Sequence, residues 1–222
     1  MSGSDVTISI VDDDALVLAS LAGLVKRFGY RVKAFRTPVA CLADYDAATP
    51  GCHLLDLAMP ELDGISLFVA LSEMHPPPTV VFLSGQADIP RSVQAMKLGA
   101  SDFLTKPVDA NTLKVALAAA VERDARNRQE CLARDEQHSH LARLTPRERE
   151  VLVHILSGQL NKQIAWDLGI SENTVKIHRS HIMEKMEARS VLDLAGYAAS
   201  IADARSDGIR ATSQVLPRSD AR

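Results

Sequence analysis

A chain of 222 residues has room for one large or two small domains, and a hydrophobic content of 46% supports real cores and argues against disorder. A formal charge of −3 points to neither a strong polyanion nor a strong polycation as partner, and the 4% aromatic content means cores built from Ala, Leu, Val and Ile. The start MSGSDVTISIVDDD lacks a basic region followed by a long apolar one, and no run of about 18 apolar residues follows, so neither a signal peptide nor a membrane span is expected. Cys41, Cys52 and Cys131 are odd in number and lack CxxC spacing, which reads as free thiols in a reducing cytoplasm.

Taken in chain order, residues 5–121 alternate between short apolar runs and helical periodicity. Thr7–Val11, Arg31–Phe35, Cys52–Leu55, Thr79–Leu83 and Asp102–Leu104 read as strands. Between them, 15–28, 38–48, 65–74 and 89–98 carry apolar residues at helical spacing, and a fifth helix follows Asp109. Such alternation implies right-handed crossovers and a parallel sheet covered on both faces: an α/β, flavodoxin-like, doubly wound domain of five strands over 1–121. Residues 122–143 are rich in charge of balanced sign and lack Gly and Pro, so they read as a solvated helical linker continuing that fifth helix. Val121, Ala125 and Leu132 do not sustain a coiled-coil heptad.

From Leu144 the pattern is helical only, an all-α four-helix domain over 144–203. Thr145-Pro146-Arg147-Glu148 is a capping box with Pro at the first helical position. Gly158 ends that helix, Asn161–Leu168 forms a second ended by Gly169, and Ser171 caps a third with Val175, Ile182 and Met186 on one face. Ser190 caps a fourth helix carrying Val191, Leu194, Ala198 and Ile201. Residues 204–222 are polar and aperiodic and are expected to be a disordered tail.

In doubly wound sheets, sites form beyond the carboxyl ends of the strands, where strand order reverses. Asp12 and Asp13 follow the first strand and Asp56 ends the third, which brings three carboxylates together. Charges that close raise one another's pKa unless a cation neutralises them, and hard oxygen ligands suit Mg²⁺. Asp14, next in the run, reads as the cap of the first helix. Ser84 ends the fourth strand with a hydroxyl and Lys106 follows the fifth with an ammonium. Asp56 is then a candidate nucleophile forming an acyl phosphate, since phosphoryl transfer needs mostly positioning and charge neutralisation. Each piece alone has an ordinary explanation as a turn residue or cap; the combination is what points to a site.

These residues carry a resemblance. VDDD, LLDLAMPELDG, FLSGQADI and DFLTKP, in this order and spacing, resemble the receiver domain of two-component response regulators across residues 5–121. QADIPRSVQAMKLGASDF is especially similar to the FixJ subgroup of the NarL/FixJ regulators. The resemblance implies Asp56 as phosphoacceptor, Asp12 and Asp13 as the magnesium acids, Ser84 as the switch hydroxyl, Lys106 as the phosphate-binding lysine and Phe103 as the aromatic that turns inward on activation. It also implies a cis bond between Lys106 and Pro107. Ala58 and Gln86 would flank the attacking water and tune the phosphate lifetime.

The three short C-terminal helices read as a helix-turn-helix whose third helix would enter the major groove. Asn173, Lys176, Ile177 and Ser180 share its outer face at i, i+3, i+4 and i+7, with Arg179 at the flank placed to reach phosphate. Residues 144–203 hold 7 Lys+Arg against 8 Asp+Glu, so charge alone leaves a protein-binding bundle open. Pattern says more: LTPREREVL and GQLNKQIAWDLGISENTVKIHRSHIMEKM resemble the LuxR-type DNA-binding domain nearly end to end. This implies base contacts from Lys176, Ile177 and Ser180 and pairing of two domains through the helix from Ser190. His154 and His181 have no metal-like spacing and read as structural or surface residues.

The reading is a cytoplasmic response regulator rather than an enzyme. A sensor histidine kinase phosphorylates Asp56, the chain forms a homodimer, and paired output domains bind promoter double-stranded DNA. An RNA-binding or protein-binding output is the alternative. A haloacid dehalogenase-type hydrolase is disfavoured, because Ala58 stands where its general acid would be.

Overall fold

The computed structural model describes residues 5–85 and 89–197. Two compact units divide the chain between Cys131 and Leu132. The first unit is a five-stranded parallel sheet of order β2-β1-β3-β4-β5, formed by β1 (Thr7–Val11), β2 (Arg31–Phe35), β3 (Gly51–Asp56), β4 (Thr79–Ser84) and β5 (Asp102–Thr105). The crossovers are α1 (Ala15–Arg27), α2 (Pro38–Ala43), α3 (Gly64–Ser72) and α4 (Ile89–Lys97), and α5 (Ala110–Ala142) follows β5. Strands β1, β3 and β4 are buried along their whole length, as continuous apolar runs in a two-sided parallel sheet must be. One face packs Ile8, Ile10 and Leu54 against Leu18 and Val25 of α1 and Leu113 and Leu117 of α5. The other packs Val11, Leu55 and Phe82 against Leu67, Phe68 and Leu71 of α3.

The expected elements are present, with corrections to the second helix and to the 122–143 segment. The second helix ends at Ala43 rather than 48, because Asp46 accepts from the Ala48 amide (2.9 Å) and the Thr49 hydroxyl (2.7 Å) and so turns the chain. The segment 122–143 is helical but not uniformly solvated. Asp124 is buried in the first unit and His140 in the second, each with polar partners.

The second unit packs α6 (Pro146–Leu156), α7 (Asn161–Leu168), α8 (Glu172–Lys185) and α9 (Val191–Ala195) around Leu152, Ile155, Ile164, Val175, Ile182 and Leu194. Thr145 and Glu148 form the expected capping box on α6. Gly169, at φ 64°, ends α7 in the left-handed conformation that glycine adopts without penalty. Ser171 caps α8 through the Thr174 amide (3.0 Å) and Ser190 caps α9. Of the apolar residues on α9, Leu194 is fully buried, while Val191 at its start is 43% exposed. Ala198, Ile201 and the 204–222 tail lie outside the described residues. Trp166 on α7, the sole tryptophan of the chain, is 86% exposed.

Candidate functional site

The register pairs Val11 of β1 with Leu55 of β3, so the residues just beyond them, Asp12 and Asp56, fall side by side at the carboxyl edge of the sheet. Oxygen atoms of Asp12, Asp13 and Asp56 lie within 4.8 Å of one another. Asp12 and Asp56 are buried and Asp13 is half-buried. From across β4, Lys106 Nζ reaches Asp12 Oδ2 at 2.6 Å and Asp56 Oδ1 at 2.7 Å. Its backbone amide donates to the Ser84 carbonyl (2.7 Å), and the following bond to Pro107 is cis. Asp12 Oδ1 accepts the Asp14 amide (3.0 Å), while Asp14 caps α1 through the Leu16 and Val17 amides.

Burial pushes the Asp56 carboxyl above its ordinary pKa; Lys106 opposes this, and Asp12 and Asp13 add to it. Burial pulls Lys106 down, but its hydrogen bonds to Asp12 and Asp56 outweigh that and hold it above its ordinary value. Three carboxylates against one ammonium leave two formal negative charges in a closely packed oxygen cluster. The charge and the all-oxygen donor set suit a hard divalent cation.

Ser84 is buried at the end of β4, and Phe103 on β5 is partly buried against Ala95, Ala100 and their neighbours. Ala58 is exposed; Gln86 lies outside the described residues. One contributor escapes a reading of charged motifs. A Cβ on Gly64 would stand 2.2 Å from the Asp56 carbonyl oxygen, and the Gly64 amide donates to Leu57 (3.1 Å). The Asp-Gly ending of LLDLAMPELDG is its only trace in the sequence.

In the second unit, Asn173, Lys176, Ile177 and Ser180 are exposed along α8, opposite the buried Val175, Ile182 and Met186. Arg179 is half-buried and lines an open hollow of about 600 Å³ together with Asn161 and Lys162 of α7. Lys162 lies on the helix before the one that carries the recognition pattern, so the pattern does not point to it. His154 pairs with Gln159 Oε1, and His181 lies 3.7 Å from Glu148.

Comparison with known proteins settles the family. Residues 8–118 match the response regulator receiver domain, and residues 142–198 match the luxR family of bacterial regulatory proteins. The chain belongs to the NarL/FixJ group of two-component response regulators. It is 41% identical to the response regulator protein TmoT of Ectopseudomonas mendocina, covering 87% of this chain and 88% of that one. It is 38% identical to the transcriptional regulatory protein FixJ of Azorhizobium caulinodans, over 84% and 89% of the two chains. Among solved structures, the response regulator StyR superposes with a TM-score of 0.75 at 36% identity, covering 88% of this chain and 99% of that one. Full-length FixJ from B. japonicum gives 0.53 at 31% identity, over 90% and 98%. This response regulator therefore pairs a receiver with a LuxR-type DNA-binding domain and acts in transcription regulation. Among its described residues, no helix is long and apolar enough to cross a membrane.

Proposed function

We propose that this regulator is switched by phosphorylation of Asp56, with a sensor histidine kinase as donor. The observation that carries the reading is the contact of Lys106 Nζ with both Asp12 and Asp56 inside the three-carboxylate cluster. An Asp56 oxygen attacks phosphorus, the bond from phosphorus to the donor imidazole nitrogen breaks, and an acyl phosphate forms. Lys106, already at 2.7 Å from Asp56, stays within reach of the new phosphoryl oxygens and offsets their charge. Asp12, Asp13 and Asp56 are the residues to hold Mg²⁺, which when bound supplies neutralisation of phosphoryl charge. Ser84 and Phe103, neighbours of the cluster on β4 and β5, serve as the switch pair: the Ser84 hydroxyl binds the phosphoryl group and Phe103 moves further inward. Exposed Val93, Met96 and Leu98 on α4 and near its end, and Val115 on α5, support homodimerisation of the phosphorylated form through this side of the receiver.

At the output, Asn173, Lys176, Ile177 and Ser180 face the bases of promoter double-stranded DNA. Arg179 contacts phosphate, joined by Lys162, which lines the same hollow. Nothing in this cycle calls for a membrane, and a cytoplasmic location fits it.

The test is chemical. Acetyl phosphate with Mg²⁺ should add about 80 Da, one phosphoryl group on an aspartyl nucleophile. Asp56→Asn should take none, and Asp13→Ala or removal of Mg²⁺ should nearly abolish the label. Full labelling of Asp56→Asn would overturn the assignment.

A further inference from the structure

The end of the sheet opposite Asp56 carries a second buried charge cluster that phosphoryl chemistry does not use. On α5, Arg128 Nε donates to Asp124 Oδ2 at 2.7 Å, with side chains only 18% and 3% exposed. The rest of the guanidinium turns to the chain between α2 and β3: Nη1 donates to the Ala47 carbonyl and Nη2 to the Thr49 carbonyl (2.6 Å). Asp124 Oδ2 also accepts the amide of Gly51, the first residue of β3 (3.0 Å). That amide is held in place: Gly51 has φ 150°, and a Cβ there would stand 1.8 Å from the Thr7 carbonyl oxygen. The two side chains thus clamp α5 to the strand whose other end is Asp56.

Two further features set the clamp apart from the apolar core. It closes over a polar cavity of about 20 Å³, near one water molecule in size, lined by His53, Tyr45 and Arg128 among others. Beyond Arg128, no residue of α5 is buried until His140. Arg128 is therefore the final anchor of the helix in the first unit.

We propose that Asp124 and Arg128 form a latch that ties the order of the linker segment 122–131 to the state of the receiver. Closed, the latch holds this part of α5 against the 46–51 loop. Its closure is coupled through β3 to what is bound at Asp56, and such coupling acts in both directions. The latch stands on its own contacts; the coupling rests on Asp56 being the phosphoacceptor.

Hydrogen exchange read by mass spectrometry on the full chain tests both, with and without acetyl phosphate and Mg²⁺, and intact mass reports label in the same samples. Arg128→Lys keeps the charge but cannot reach two carbonyls and a carboxylate at once. The pair Asp124→Leu with Arg128→Met removes both charges together and so leaves no lone buried charge; far-ultraviolet dichroism verifies folding. In the wild type, exchange over 120–131 should change on phosphorylation. In both variants it should be about tenfold faster without label, as expected for loss of a local anchor, and should no longer respond to phosphorylation, although Asp56 still takes the label. Unchanged exchange in the folded variants overturns the latch. A labelled wild type whose 120–131 segment does not respond overturns the coupling. A wild type that takes no label overturns the Asp56 reading instead, while the variants' exchange still decides the latch.

Discussion

The carboxyl edge of β3 is crowded by backbone as much as by charge. Gly64 approaches Asp56 so closely that any side chain must push the β3–α3 loop away from the acid cluster. Gly64→Ala should lower the rate of phosphorylation by acetyl phosphate at least tenfold and cost about 1–3 kcal/mol, as overpacking does. Gly23 in α1 has nothing within 4 Å of a Cβ. Gly23→Ala should therefore raise stability by about 0.5–1 kcal/mol through helix propensity alone. Equal labelling rates in the two variants would show that the close approach does not position Asp56. Asp12, Asp13, Asp56 and Lys106 were legible in the sequence because each is a charged residue ending an apolar run, and strand ends in this architecture converge. Gly64 and Arg128 were not, since their importance lies in contacts to backbone atoms that only the folded chain brings near. Arg128 meets Ala47 and Thr49 across about eighty residues.

Helix caps were the best-read elements, because Asp14, Thr145, Ser171 and Ser190 satisfy orphan amides by local chemistry that the sequence spells out. The end of α2 differs from the expected 48 for a related reason: apolar spacing continues past Ala43, while the Asp46 turn competes with it and wins. Glu148 is more than a cap. It accepts the Thr145 amide (2.8 Å) and Lys185 Nζ (2.7 Å), joining the start of α6 to the end of α8. Burial pushes its carboxyl up, but Lys185 and the Thr145 bonds outweigh that and hold its pKa below the ordinary 4.5. A carboxyl depressed by folding gives stability that is fully present above its unfolded pKa and is lost as pH falls through the folded value. The output unit should therefore weaken as pH drops below about 4.5 toward that lower folded value. Glu148→Gln keeps an oxygen for the Thr145 amide but not the charge facing Lys185, so it should be less stable at neutral pH by about 1 kcal/mol, the difference between a charge-assisted and a neutral bond, and should show a flatter acid limb. A thermal-melt series across pH 3–7 separates the two; parallel acid limbs in both proteins would remove Glu148 as the cause.

At the scale of the molecule, the balance of 7 Lys+Arg against 8 Asp+Glu in residues 144–203 means that DNA affinity rests on placement rather than bulk charge. Arg179→Ala should weaken binding to all duplexes and flatten the salt dependence by about one unit per lost phosphate contact. Lys176→Ala should lose more on the true site than on scrambled DNA, by about 1–3 kcal/mol for a base contact. Salt titrations on both duplexes check this, and equal losses for Lys176→Ala would rotate the reading face of α8. The exposed indole of Trp166 has a practical bearing on all such work. It already stands in water in the folded chain, and no other tryptophan exists to report on the receiver. Its emission should barely move when either unit unfolds, so a fluorescence melt would record a stable protein where dichroism records a collapsing one. What that emission can register is something new coming to rest on α7.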